Sequence, residues 1–490
     1  MMTILIKALQ LILSLSLLVF VHELGHFMFA RLFKTRVDKF YLFFNPKFAI
    51  VRWKKINGKW RIKWFSKNWE EFSQPVLDEN GYQKLDKKGN PMIQPLPIDQ
   101  LPEDDWRRHP ETTEWGIGWL PLGGYCSICG MVDETTSFDE LNEKAEPWEY
   151  RSKPAWQRLL IITGGVLMNF VTAIVIYTIM LWSWGTEEMP IQNAYLGYDY
   201  CQTARQNGFE NGDIILSIDS EKVETEKDVV EKIVIEGKRH ILLRRMGKDT
   251  LILLPEKFGE QMLAAEEKQF MELRIPFVID EVVGNNKFFQ KGDSVIAINN
   301  KKTSVYQDIT KELSSLANTK INISFIRNGI LMSDSIQLDE EGKIGVSIKN
   351  PIVYFKTIKR EYNLLQSIPA GWNMMTDVLS SYVKQFRLVF TKEGAKSLGG
   401  FAAIGNLFPS AWNWQIFWNM TAFLSVILAF MNILPIPVLD GGYVLFLLYE
   451  MIFRRKPSEK FMQIALNIGM LLLFALLIFA NGNDVVRMFK

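Results

Sequence analysis

His22-Glu23-Leu24-Gly25-His26 closes an almost wholly apolar run that begins at Ile4. On one helix the two histidines are four residues apart, so both imidazoles leave the same face. That is the reach needed to share one Zn²⁺ through two nitrogens at about 2.0–2.1 Å. Glu23 lies one step round the helix, placed to act as a base on water held there. A carboxylate at the centre of a bilayer-spanning helix costs about 2.5–3.5 kcal/mol, so ionisable groups in such places usually carry function. The motif is short enough to arise by chance; its apolar flank is what separates it from an exposed turn of a soluble helix.

Three further apolar stretches, roughly 158–184, 415–438 and 463–480, join the first at 4–32. Each is about long enough to cross a hydrocarbon core of roughly 30 Å as a helix. The first lacks the basic start and small-residue cleavage site of a signal peptide and runs straight into the histidine motif. The net charge of +2 on 490 residues carries no argument for nucleic acid. The distribution of charge says more. Arg31, Lys34, Arg36, Lys39 and eight further basic residues up to Lys67 follow the first span, with Asp38 as the one acid among them. Arg454, Arg455, Lys456 and Lys460 separate the last two. The positive-inside rule puts the 33–157 and 454–460 loops in the cytosol and 186–410 on the opposite side.

Within the first loop, Val51, Trp53, Trp60, Ile62 and Trp64 alternate with basic residues about an Asn57-Gly58 turn, a hairpin signal. One aromatic and one basic face suit either a sheet at an anionic membrane surface or a small half-buried cytosolic sheet. Residues 77–105 read as loops, with turns at Asn80-Gly81 and Lys88-Gly89-Asn90. Residues 115–125 are apolar, glycine-rich and too short to span. Of the three cysteines, Cys201 stands alone, and Cys126 and Cys129 form a C-x-x-C. A redox pair or half a zinc site is conceivable there, but with no second pair, two reduced packed cysteines are favoured.

The outer region repeats itself. Gly212-Asp-Ile-Ile-Leu-Ser-Ile-Asp219 returns 80 residues later as Gly292-Asp-Ser-Val-Ile-Ala-Ile-Asn299, and Leu242–Gly247 is echoed by Ser324–Gly329. Each unit reads as turn, short strand, helix and hairpin, and resembles the PDZ domain, which binds peptides by strand addition. The alternative is two compact spacers. Downstream, Trp372, Met375, Leu379, Tyr382 and Phe386 form a helical stripe for packing or for lipid.

A second polar group interrupts the third span, in Asn432-Ile-Leu-Pro-Ile-Pro-Val-Leu-Asp440-Gly441-Gly442. Pro435 and Pro437 break the helix and free backbone groups. A catalytic zinc takes three protein ligands and keeps one position open; His22, His26 and Asp440 supply three.

The pair HELGH and N-x-x-P-x-P-x-x-D-G, with PDZ-like repeats between, resembles the site-2 proteases, most closely the bacterial regulator-of-sigma-E protease type. The resemblance implies a multi-pass α-helical membrane protein with four transmembrane helices, a membrane-associated β region and two α+β PDZ-like domains. In this chain that layout gives a first transmembrane helix at 1–34, the β region with an insertion at 35–157 and a second helix at 158–185. PDZ-like domains follow at 186–258 and 270–350, then a juxtamembrane helical region at 357–410, a third helix at 415–450 and a fourth at 461–481. It implies zinc ligands at His22, His26 and Asp440, the catalytic carboxylate at Glu23, and substrate contacts at Asn432, Gly123, Gly124 and Asn169. Asn169 ends Gly165-Val-Leu-Met-Asn169, similar to the family's G-P-x-x-N with Val166 in place of proline. The implied partners are single-span membrane substrates (anti-sigma factors or remnant signal peptides), their outer segments at the PDZ-like domains, and the lipid bilayer. The implied location is the bacterial inner membrane with the repeats on the periplasmic side. The rival reading is a membrane-anchored PDZ scaffold with a structural metal, which needs a fourth ligand from His109, Cys126 or Cys129.

Overall fold

Four helices are long and apolar enough to cross a membrane: Thr3–Leu32, Ala155–Trp184, Trp414–Ile433 and Lys460–Val486. They fall within α1 (Met2–Leu32), α2 (Ala155–Trp184), α3 (Trp414–Ile433) and, after a shorter α4 (Asp440–Phe453), α5 (Glu459–Met488). The computed structural model describes residues 2–488 apart from 69–72, 76–92, 96–97, 104, 122, 132–143, 266, 268, 283–287, 304, 341, 349–350 and 392–398. The turns read at Asn80-Gly81 and Lys88-Gly89-Asn90 lie outside the described residues. Residues 1–184, 363–380 and 399–490 form one compact unit, and 185–362 with 381–398 a second.

In the first unit α2 is central and packs against α1, α3 and α4. α5 leaves Ile464, Leu471 and Ile478 exposed, an apolar surface that water solvates poorly. Its far end is held by Asp484, whose carboxylate accepts the backbone N–H groups of Gly400, Ala402 and Ala403. Met375 packs into the α2–α3 cluster while Trp372 of the same stripe is exposed.

The 415–450 segment, expected as one helix, is two. α3 stops at Ile433, Val438 takes a φ of 91°, and α4 starts at Asp440. Proline lacks the N–H that would continue the ladder, and its ring clashes with the preceding turn. Pro435 and Pro437 therefore end one helix and place Asp440 in the first turn of the next.

Between α1 and α2 lies a mixed five-stranded sheet of β1 (Val37–Leu42), β2 (Phe48–Ile56), β3 (Lys59–Lys67), β4 (Glu114–Ile117) and β5 (Tyr125–Ile128), in the order β3-β2-β4-β1-β5. β1 and β4 run parallel; the other neighbours are antiparallel. Asn57 and Gly58 both have positive φ, 48° and 77°, as the two-residue turn joining twisted strands requires. The hairpin is inside out relative to a water-soluble sheet. Arg52 and Lys54 are 4% and 5% exposed, whereas Trp60, Ile62 and Trp64 are 59%, 59% and 67% exposed. The sheet docks on α1 through Phe20 and Phe27, which contact Phe40 at 5.7 and 5.8 Å between ring centres, and Phe27 meets Trp115 at 5.0 Å. Phe20, Glu23 and Phe27 share a helix face by spacing, so this docking turns Glu23 toward the sheet.

The second unit holds the repeats. The first has β6 (Ile214–Ile218), a helix at Glu226–Val230, and the hairpin β7 (His240–Arg245) and β8 (Lys248–Leu253). The second has β9 (Ser294–Ile298), a helix at Tyr306–Ser315, and the hairpin β10 (Lys320–Arg327) and β11 (Ile330–Gln337). Even the irregularities recur, a register shift at Ile215/Ser217 and again at Val295/Ala297. The repeated Gly-Asp explains itself. Asp213, 1% exposed, takes two hydrogen bonds from Arg245 at 2.9 and 2.7 Å, and Asp293 takes two from Arg327 at 2.8 and 2.7 Å. Each pair fastens the start of one strand to the end of another. Asp293→Asn is expected to destabilise its repeat by about 1.5 kcal/mol, the low end for hydrogen bonds to a charged group, because Arg327 reaches solvent and asparagine keeps one acceptor. Urea denaturation followed by hydrogen exchange in β9 and β10 measures it, and a loss below about 1 kcal/mol would assign the pair to the surface class.

Candidate metal centre

The helix spacing that aims His22 and His26 in one direction also requires something for them to face, and that is α2. Gly25, between them, lies so close to α2 that a Cβ on it would stand 2.2 Å from the carbonyl oxygen of Gly164. The small residue inside HELGH thus lets two backbones touch. Gly165 continues the contact: a Cβ there would sit 2.5 Å from His22 Cε1 and 2.6 Å from His26 Nε2. The imidazoles fill the space that a side chain at 165 would occupy.

Their outer nitrogens are tied to α2 as well. His26 Nδ1 lies 2.9 Å from the carbonyl oxygen of Ile161, and His22 hydrogen-bonds the backbone of Gly165, one helical turn on. Nδ1–H donation from His26 to the Ile161 carbonyl leaves its Nε2 lone pair turned inward, toward the Nε2 of His22. The two Nε2 atoms are 3.1 Å apart, and Asp440 Oδ2 lies 3.2 Å from one and 3.6 Å from the other. Three acceptors facing one another repel unless a cation sits among them. Among the described residues Asp440 Oδ2 is a buried oxygen that faces only the two imidazoles, which satisfy it only if one of them carries a proton there. Ligand atoms about 2.0–2.1 Å from a tetrahedral ion stand about 3.3–3.4 Å from each other, and the three observed separations bracket that value. The residues fit a zinc ion. Among the described residues, His22, His26 and Asp440 are also the group of three or more potential ligands close enough to share one.

Glu23 stands beside this cluster, near enough to interact electrostatically with His22, His26 and Asp440, and its carboxylate takes a hydrogen bond from the backbone of Cys126 in β5. The amide nitrogen of Asn432, at the end of α3, lies 3.4 Å from His22 Nε2. That of Asn169 lies 3.3 Å from His22 Nδ1, while Asn169 Oδ1 has no partner. α2 runs unbroken through Val166, so the missing proline leaves no kink. Gly123 and Gly124 lead into β5, and Gly124 packs against the Tyr41 carbonyl and Val19 of α1. Cys129 and His109 are engaged by other groups: Cys129 Sγ lies 3.2 Å from an Arg36 nitrogen, burial raises its thiol, and His109 Nε2 lies 3.0 Å from the Glu103 carbonyl. Cys126 and Cys129 are not joined in a disulfide.

The sequence alone did not reveal Gly165, the Ile161 carbonyl or the Cys126 amide. Gly164-Gly165 in an apolar helix was a visible sign of close packing; the two backbone groups have no sequence signature at all.

A two-histidine, one-aspartate centre with a carboxylate at its side, carried on apolar spanning helices, defines a metal-dependent hydrolase of the membrane. The chain matches the model of peptidase family M50 over residues 10–66 and 104–476, and it belongs to that family. Metalloprotease MmpA of Caulobacter vibrioides is 23% identical over 500 residues, covering 99% of this chain and 96% of that protein. A protein of Borreliella burgdorferi named "Putative zinc metalloprotease" is 23% identical over 501 residues, covering 98% and 99%. The chain is a site-2-type zinc metalloendopeptidase, with Zn²⁺ as its cofactor.

Proposed function

We propose that this enzyme cuts peptide bonds inside the membrane-spanning segments of single-span proteins, as a step of regulated intramembrane proteolysis. The carrying observation is the position of the triad, held between apolar helices α1, α2 and α4 and beside an unligated carboxylate. Bound Zn²⁺ would supply Lewis acidity toward the scissile carbonyl and a more acidic water. His22, His26 and Asp440 hold that ion. Glu23, oriented by the Cys126 amide, takes the proton of the attacking water and returns it to the leaving amine. Asn169 would steady the His22 ring from its Nδ1 side, and Asn432, beside the Nε2 edge, would bind substrate backbone.

A helical substrate has its carbonyls engaged and must unwind before attack. β5 is an edge of the five-stranded sheet, and an extended segment can add to such an edge; Gly123 and Gly124 at its start admit a close backbone. The scaffold reading needs a fourth ligand, and His109 and Cys129 are engaged away from the triad.

The basic loops favour a bacterial inner-membrane orientation with 33–157 in the cytosol and the repeats on the periplasmic side. There the strand–helix–hairpin units, read as PDZ-like, would exclude substrates with bulky outer domains and admit those already trimmed, such as anti-sigma factors or remnant signal peptides. Deleting 190–350 is expected to let untrimmed single-span reporters be cut; unchanged selectivity would overturn the size filter. The cleavage reaction itself is tested by comparing wild type with Glu23→Gln on such a reporter in cells.

A further inference from the structure

The buried basic face of the β2–β3 hairpin is unused by the chemistry above. It opens on a cavity of about 320 Å³, near the lower end of the sizes that hold small ligands. Its lining includes six basic side chains, Arg36, Lys39, Arg52, Lys54, Lys63 and Arg107, against three carboxylates. Each carboxylate already has an arginine: Asp38 pairs with Arg36 at 2.8 Å, Asp105 with Arg107 at 2.7 Å and Glu114 with Arg52 at 3.5 Å. Arg107 holds Asp105 below the usual carboxylate range, so that pair is charged and closed to others. Arg52 is further satisfied by Ser66 Oγ and the Asn68 carbonyl, and it lies over the Trp106 ring, as Lys63 does.

Lys54 differs. It is 5% exposed, lines the cavity, and makes no hydrogen bond or ion pair among the described residues. Burial pulls its ammonium below the ordinary lysine range, while Glu114 and Asp38 act from a distance against that fall. An ammonium buried without a partner is costly, and such groups are kept where something pairs with them. One wall of the cavity, at Ile98, comes from the 67–103 stretch that the family match skips.

We infer that this cavity is an anion site, in which Lys54, with Arg52 and Lys63 around it, binds a small phosphate group. Three N–H donors of an ammonium suit tetrahedral phosphate oxygens, and Lys54 is the buried lining cation with no partner among the described residues. The phosphate can be that of a soluble ester or of an acidic lipid headgroup. The inference stands independently of the protease reading.

The test is calorimetric titration of the full chain, in nonionic detergent at constant ionic strength, with inorganic phosphate against chloride. Saturable phosphate binding is expected, weakened about tenfold or more in Lys54→Met and restored in Lys54→Arg. Lys59→Met, at the hairpin tip and outside the cavity, should leave it unchanged. A parallel titration in phosphatidylcholine nanodiscs with and without phosphatidic acid identifies the source. Competition by phosphatidic acid supports a headgroup, and undiminished phosphate binding supports a soluble ester. Equal affinity in wild type and Lys54→Met, or no saturable binding of either probe, overturns the site. If Lys54→Met does not accumulate, Lys63→Met carries the same prediction from the rim.

Discussion

Replacing Glu23 by glutamine, at matched expression, is expected to lower cleavage of a single-span reporter by about 10²–10⁴-fold, the usual contribution of a positioned general base. Glutamine keeps the length and planar shape of the carboxylate, and its amide oxygen can still accept the Cys126 backbone hydrogen bond. What it loses is the negative charge that draws a proton from water. Glu23 supplies none of the three clustered ligand atoms, so zinc content measured by mass spectrometry should match wild type. Loss of activity with zinc retained separates a base from a ligand. Equal processing by both proteins would mean that another enzyme cuts the reporter and would revive the scaffold reading.

The second large effect is expected where there is no functional group at all. In Gly165→Ala, the new methyl would stand 2.5 Å from His22 Cε1 and 2.6 Å from His26 Nε2, inside van der Waals contact. His26 cannot retreat without losing its Nδ1 hydrogen bond to the Ile161 carbonyl, nor His22 without losing its contact with the Gly165 backbone. Displacing ligands by about 1 Å costs on the order of 10²-fold in rate, and zinc occupancy should fall with it. Alanine is a better helix former than glycine by about 1 kcal/mol, so α2 itself should persist. Reduced zinc in a protein of normal thermal stability is the expected signature. Full zinc and full activity would show that α2 does not back the imidazoles at this distance.

Asp484 and the Asp–Arg pairs of the repeats show how differently acids are used along one chain. Asp293 and Asp213 are saturated by arginine, and Asp484 by three backbone amides. Asp440 Oδ2 has neither an arginine nor a backbone amide among the described residues and faces only the two histidines. That contrast fits Asp440 for a metal ion.

Several features were legible in the chain because they are local. Four apolar runs declare spanning helices by length, and the i, i+4 spacing of His22 and His26 aims two nitrogens one way. Pro435 and Pro437 announce a break, yet the expected single segment at 415–450 hid that Asp440 opens a new helix. The hairpin was legible from Asn57-Gly58, but which face it buries was not. Alternation specifies two faces and leaves open which one meets protein; here Trp106 and Glu114 meet the basic face. The sequence by itself thus determined the elements, the ligand types and the likeness to a protease family. Only the tertiary structure decided that Ile161 and Gly165 orient the imidazoles, that a β-strand amide holds Glu23, and that Lys54 is enclosed without a partner among the described residues. Those contacts run between backbone groups or between segments far apart in the chain, and neither leaves a periodicity to read.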